Sequence, residues 1–371
     1  MPLHNTNIFT TNLLNQLHSL KNANDNIAFS GIGLYFLLGA VHLGVKGYCY
    51  NEINRLLEEN FDDLYFNNSW YRTPVVKMWV TERKILEESF KLNSALISSC
   101  SYNLRWKEMS EYIFNLQHIQ IDTKNLSATA RKTNAWVSMK TRQSHVDIIH
   151  KSILSKWTMI LVNTLYVRPA WKLNFNSCQT KKEIFYGDNG QTFEVEMMNQ
   201  EGYFKLYSNP LDKYRILFKE FTQTGIYSAI VLPREGHKID DVLKYLEVLV
   251  YVIQPESLKT YIDLLEVKFV HLKVPKFKVS TQYDFAELFI KFGIKCIFHE
   301  TSGTFERMTN DRVFISNLTQ VVHLSFEERS FDPGSSTEIT VEKSETKPKA
   351  FYVTRPFYFF YLFLFHRFRD L

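Results

Sequence analysis

The chain has 371 residues, 45% of them hydrophobic and 15% aromatic, which is material for a large core in one domain or two. Its 44 lysines and arginines against 39 acidic residues leave a net charge of +5, spread along the whole length without a basic block, so nucleic acid is not an expected partner. The start, MPLHNTNIFTTNLLNQLHSL, has no basic opening and no continuous apolar run, and the longest apolar stretch, Phe357 to Phe365, is too short to cross a bilayer. A cytoplasmic protein with no membrane partner is expected, with export outside the signal-peptide route as the other possibility. Four widely separated cysteines (Cys49, Cys100, Cys178 and Cys296) lack metal-ligand spacing and read as buried free thiols of a reducing compartment.

In chain order, Ile8, Leu13, Leu14, Leu17 and Leu20 mark one face of a helix from about Thr6. NIAF, Asn26 to Phe29, reads as a short buried strand. GLYFLLGAVHLGV is apolar all round, the mark of a buried helix, and Gly39, Ala40 and Gly44 let its neighbours approach closely. NEINRLLEEN follows as an amphipathic helix. KLNSALISS is a strand, Trp106–Leu116 a helix, HIQID a strand. Leu126 to Thr141 is a long helix with Ala130, Trp136, Val137 and Met139 on its apolar side. TMILVNTLYV, Thr158 to Val167, is β-prone and apolar nearly throughout, as a strand buried on both faces should be.

Strands then dominate: FEVEMM, YFKLY, YRILFKEF and YSAIVLP, the last ending at Pro233. Helices are expected near Ile239–Leu246 and Pro255–Leu265. FVHLKVPKFKV reads as one alternating strand, Tyr283–Phe292 as a helix, and VVHLSFE as a late strand. Helices gather early and strands late, without a βαβ rhythm, so the fold class is α+β and one domain over 1–371 is expected. From Arg329 to Lys349 the chain is polar and charged, and then almost solid aromatic.

Catalytic signatures are missing. There is no G-x-S-x-G, H-E-x-x-H, phosphate-binding loop or C-x-x-C. His145 and His150 are five apart, which does not align two metal ligands on one helical face. His42 and His323 are single histidines in apolar segments, and adjacent Glu327 and Glu328 point to opposite faces of a strand. No cofactor, metal or enzymatic activity is expected.

Several segments together resemble the serpin family. NIAFSGIGLYFLLGAVHLGVKGYCYNEI is similar to its Phe-Ser turn, buried helix and Gly-x-Lys-Gly loop, and ARKTNAWVSMKTRQSHVDII to its Asn-x-Trp-Val helix. ILVNTLYVRPAWKLNF resembles the Leu-Val-Asn strand with its following Trp, VEMMNQEGYFKLY the Met-Met segment, and LKVPKFKVSTQYDFAELFIKFGI the Leu-x-x-Pro-Lys-Phe strand and Gly-Ile helix. VFISNLTQVVHLSFEE and FYVTRPFYFF resemble the strands before and after the reactive loop. The resemblance implies eight to nine helices around three β-sheets, a monomer, and a reactive-centre loop at about 329–350. It also implies suicide inhibition of a target serine or cysteine protease, in which the cleaved loop enters the main sheet. A non-inhibitory serpin-fold protein that works by protein binding is the alternative. The signal-free start resembles intracellular members. The Asn, Ile, Lys, Phe and Tyr bias suggests a viral, poxvirus-type serpin that acts on host proteases.

The resemblance places an insertion hinge at Gly334, Ser335, Ser336, Thr337, Glu338, Ile339, Thr340 and Val341. Ser335, Thr337, Ile339 and Val341 alternate with polar neighbours, as an inserting strand requires, but charged Lys343 and Glu345 follow on the same face. Alanines usual in inhibitory members are absent, and His323 to Gly334 is one residue longer than usual. Counting back from Pro356 places the reactive bond at Glu345–Thr346. Counting forward from Gly334 places it near Pro348–Lys349, so Lys347 and Lys349 are alternatives. Ser30, Asn163 and His323 match the polar latch through which the sheet opens, with Gly33 where a second serine is common. Residues 357–371 depart from the family, whose turn and last core strand have no counterpart there.

Overall fold

A computed structural model describes residues 2–20, 26–143, 146–155, 157–223, 225–243, 262, 264–299, 305–328 and 347–363. Among them are eight α-helices: α1 (Pro2–Leu20), α2 (Gly31–Gly44), α3 (Gly47–Leu57), α4 (Asp62–Phe66), α5 (Pro74–Ser89), α6 (Leu104–Phe114), α7 (Leu126–Thr141) and α8 (Ala286–Lys291). The strands are β1 (Lys91–Ser98), β2 (Leu116–Gln120), β3 (Thr158–Val167), β4 (Lys181–Tyr186), β5 (Thr192–Tyr207), β6 (Tyr214–Glu220), β7 (Ile226–Pro233), β8 (Val267–Pro275), β9 (Phe277–Asp284), β10 (Phe314–Phe326), β11 (Lys349–Tyr352) and β12 (Tyr358–Phe363). The class is α+β. The chain divides into two compact units, one of Met1–Gln16, Asn26–Val167 and Val279–Leu324, the other of Leu17–Asp25, Arg168–Lys278 and Ser325–Leu371.

The first unit carries a five-stranded sheet in the order β2-β1-β3-β10-β9. α2 is buried along nearly its whole length, as a helix apolar on every side must be. It starts at Ser30, whose hydroxyl accepts the Gly33 amide at 3.1 Å. Tyr35 stacks on Trp79 with ring centroids 5.5 Å apart, and Phe36 meets the same indole edge-on at 4.9 Å. α5, which supplies Trp79, begins on Thr73 with Pro74 behind it. NIAF forms no strand. Its carbonyls instead accept side-chain hydroxyls, Thr281 to Ala28 and Tyr283 to Asn26.

The ends of α7 fall where its spacing predicts, but its buried face does not. Thr129, Ala130, Thr133, Val137 and Thr141 are buried and Met139 is 64% exposed. Buried threonines can return their hydroxyls to the helix, as Thr141 does to the Val137 carbonyl at 2.8 Å, so polarity misreports the face. α3, α6 and α7 each end on a left-handed residue that is not glycine: Glu58 (φ 52), Asn115 (φ 51) and Arg142 (φ 53).

The second unit carries a seven-stranded sheet, β11-β8-β5-β6-β7-β12, with β4 also on β5. β5 runs unbroken through the two expected segments, pairing with β4 and β8 first and with β6 at its end. The strands of the three sheets expected are present, those outside the five-stranded sheet joined here into one hydrogen-bonded path. FVHLKVPKFKV is two strands rather than one. β8 belongs to the seven-stranded sheet and β9 to the five-stranded sheet, and the break falls at Lys276, after Pro275. The two helices expected after β7 fall mostly outside the described residues.

Cys49 and Cys296 are joined in a disulfide, with Cα atoms 5.6 Å apart and a sequence separation of 247. This corrects the expectation of four free thiols. Cys100 is free and buried, and Cys178 is free and exposed.

Candidate functional site: a sheet latch and the two anchors of a loop

In the five-stranded sheet β3 and β10 lie side by side and parallel, from Phe314 opposite Thr158 to Leu324 opposite Val167, with a register shift at Ser316. At the middle of this seam Gln320 faces Asn163. Both are fully buried, so their amides have to find partners within the protein. Gln320 Oε1 accepts the Ser30 amide at 2.7 Å, and its Nε2 donates to the Ser30 carbonyl at 3.0 Å and to Asn163 Oδ1 at 2.7 Å. Asn163 Nδ2 in turn donates to Ser94 Oγ at 2.9 Å and to the Asn93 carbonyl at 3.3 Å. One continuous polar clasp therefore ties β1, β3 and β10 to the start of α2.

Of the residues assigned to the latch, Ser30 and Asn163 are joined in this clasp through Gln320. His323 does not. It is three residues from Gln320, and an odd offset turns a strand side chain to the opposite face. There it stacks on Tyr166, its register partner, and its Nδ1 lies 2.7 Å from Ser280 Oγ. Gln320 fills the place assigned to the histidine. Gly33 fits the same picture, because a Cβ there would come within 2.8 Å of Asn163 Oδ1, the atom that receives Gln320.

The hinge residues Gly334 to Val341 and the bond Glu345–Thr346 lie outside the described residues. Lys347 is described and exposed, and Lys349 opens β11, where it pairs with Val270. Both anchors of the segment belong to the second unit. Upstream, just past β10, Glu327 takes Arg168 and Lys278, the latter at 3.2 Å. Glu328 takes Lys276 at 3.2 Å and the Thr180 hydroxyl at 2.9 Å. Burial pushes both carboxyls up, but the cations and the hydrogen bonds outweigh it and hold both below the ordinary value. Their carbonyls are held as well, that of Glu327 by the Trp171 indole at 3.1 Å and that of Glu328 by the Phe175 amide at 3.1 Å. Downstream, β11 runs parallel to β8, Arg215 donates to the Ala350 carbonyl at 2.9 Å, and Arg355 Nε donates to the Pro233 carbonyl at 3.0 Å.

The serpin family profile, described as serine protease inhibitor, matches residues 4–362. The chain is a serpin. It is 25% identical to human antithrombin-III over 365 residues, which span 95% of this chain and 76% of antithrombin. It is 28% identical to rat Serpin B5 over 368 residues, 95% of this chain and 92% of Serpin B5. Among solved structures, native protease nexin-1 with heparin superposes with a TM-score of 0.80 at 21% identity, covering 97% of this serpin and 95% of the other chain. Human thyroxine-binding globulin superposes at 0.78 with 21% identity, covering 98% and 95%.

In this serpin the clasp and anchors are built from residues that sequence patterns pass over. Gln320 is one polar residue in an apolar strand, and only its register against Asn163 gives it a role. Glu327 and Glu328 carried a signal as an acidic pair closing a strand, but their cations come from residues 168, 276 and 278, far away in sequence. Among the described residues no group of three or more His, Cys, Asp or Glu side chains gathers as a metal site, and no helix is long and apolar enough to cross a membrane.

Proposed function

We propose that this serpin is a suicide inhibitor of a serine or cysteine protease. It presents residues 329–346 as bait, is cut at Glu345–Thr346, and draws the cut end into the five-stranded sheet between β3 and β10. The observation that supports this best is the seam itself, buried, parallel and closed at its middle by one polar clasp. A segment that turned back from β10 would run antiparallel to both neighbours and gain backbone partners on each side. At about 1 kcal/mol net per hydrogen bond, a dozen inserted residues, after replacing the β3–β10 bonds, would release about as much as the whole stability of an ordinary domain.

A count from Gln320 would bring the two loop counts closer together. Measured from Gln320 instead of His323, the family interval would start the hinge at Ser330 rather than Gly334. A forward count from Ser330 reaches Ser344–Glu345, one residue from the bond counted back from Pro356. The same register favours a second reading, a serpin that binds a protein partner without inserting. Phe331, Asp332 and Pro333 would then enter first. Pro333 has no N–H to donate to a ladder, and burial would strip Asp332 of water.

Incubation with trypsin-like, granzyme-like and caspase-like proteases, read on a denaturing gel, decides between them. A stable adduct at the summed mass supports inhibition, and the mass of the released fragment locates the bond. Cleavage with no adduct and no rise in melting temperature rejects it and leaves the binding protein. A viral origin would make host proteases the targets. For localisation we propose the cytoplasm, and the observation that weighs against it is the Cys49–Cys296 bond, of a kind that persists in oxidising compartments. Non-reducing peptide mapping of protein taken directly from producing cells separates the two.

A further inference from the structure

Lys219 on β6 is only 2% exposed, and no ion pair among the described residues involves it. Its Nζ donates to the Leu173 carbonyl at 2.7 Å and to Gln200 Oε1 at 2.6 Å. Three rings enclose the rest of it, with Nζ 5.2 Å from the centroid of Trp171, 4.7 Å from Phe175 and 5.4 Å from Phe204. Two of these residues do further work. The Trp171 indole holds the Glu327 carbonyl and the Phe175 amide holds the Glu328 carbonyl, where the loop departs from β10.

We propose that Lys219 is a positioning residue for the loop, a caged amine that sets Trp171 and Phe175 against the carbonyls of Glu327 and Glu328 and is rehydrated when that anchor lets go. This rests on 329–346 being the working loop, and it adds a proton-dependent control at the loop's origin.

The surrounding charges are engaged elsewhere. Lys172 is paired with Glu220, which also accepts the Tyr227 hydroxyl, Arg168 and Lys278 are paired with Glu327, and Lys276 is paired with Glu328. Opposite Lys219 on β7 is Ser228, whose hydroxyl donates to the Lys219 carbonyl at 3.1 Å. Tyr361, stacked on Phe221, has its hydroxyl pushed well above the ordinary value by burial. Burial alone brings the Lys219 amine down from 10.5 to about 7. A released, hydrated amine regains its ordinary affinity for a proton. Release therefore takes up a proton between about pH 7 and 10.5, becomes easier as pH falls through that window, and gains nothing further below it.

The test is hydrogen exchange at the Phe175 amide, corrected for intrinsic rate, from pH 6 to 9, beside the Trp171 indole proton resonance. In the unmodified protein protection should fall about tenfold per pH unit from 9 toward 7 and level off below, and the indole should titrate near pH 7. In Lys219→Met both should be flat, and Lys219→Gln serves if the methionine variant does not fold. Protection independent of pH in the unmodified protein, or an unchanged slope in the variants, overturns the inference. Exchange at Phe175 needs no protease, so its failure is separate from a missing adduct on the gel.

Discussion

Replacing Gln320 by leucine keeps the approximate size of the side chain and removes all three of its hydrogen bonds, those to the Ser30 amide, the Ser30 carbonyl and Asn163 Oδ1. At about 1 kcal/mol each the loss is about 3 kcal/mol, and more if water cannot reach the buried groups left behind. At about 2 °C per kcal/mol for a chain of this size, the melting temperature should fall by about 6 °C, measured by circular dichroism. Because the clasp closes the seam, loop-cleaved protein should lose less than uncleaved protein if the cleaved loop separates β3 from β10. A double-mutant cycle sharpens the test. Asn163→Leu removes a shared bond, so the double variant should lose about 1 kcal/mol less than the sum of the singles. A loss under about 1 kcal/mol in Gln320→Leu, or strict additivity with Asn163→Leu, would refute the clasp as the element that holds the seam.

The depressed carboxyls of Glu327 and Glu328 stabilise the fold fully above the ordinary carboxylate value of 4.5, and that contribution is lost as pH falls through their lowered values. Acid melting curves of Glu328→Gln should be shallower below pH 4.5 than those of the unmodified protein. His42 is buried against Tyr50 with ring centroids 4.0 Å apart, and burial lowers it to about 4. Since the unfolded chain takes up a proton near 6.5, stability should decline between pH 6.5 and 4, and His42→Leu should remove that slope in denaturant titrations at stepped pH. Reduction of Cys49–Cys296, or Cys49→Ser with Cys296→Ser, should cost about 2–4 kcal/mol in the denaturation midpoint, because the bond closes a very long loop.

What was legible in the sequence was largely local. β3 lies at Thr158–Val167 and α7 at Leu126–Thr141, as expected, because an unbroken β-prone run and a capped helix each declare their own limits. α5 escaped notice. Its buried Val76, Trp79 and Leu86 are too few on a charged helix to make an obvious stripe. The latch was half legible, since Ser30 and Asn163 lie in segments that resemble the family. Gln320 and His323 could be told apart only by the register of β10 against β3, a relation between segments more than 150 residues apart. The break between β8 and β9 was hidden for the same reason, since an alternating pattern records that a face is buried and not which sheet buries it.

The left-handed ends of α3 and α7 bear on how such a protein could be strengthened. Glu58 and Arg142 hold a conformation that suits glycine, at a cost of about 1 kcal/mol each. Arg142, however, stands at the seam, its guanidinium 5.1 Å from the ring centroid of Tyr166 on β3, so glycine there would relieve the backbone and also remove a contact of that strand. Glycine at 58 would strengthen the end of α3, whereas glycine at 142 would trade backbone relief against a lost contact on β3. The strained end at 142 is thus tied to the strands that the proposed insertion would part.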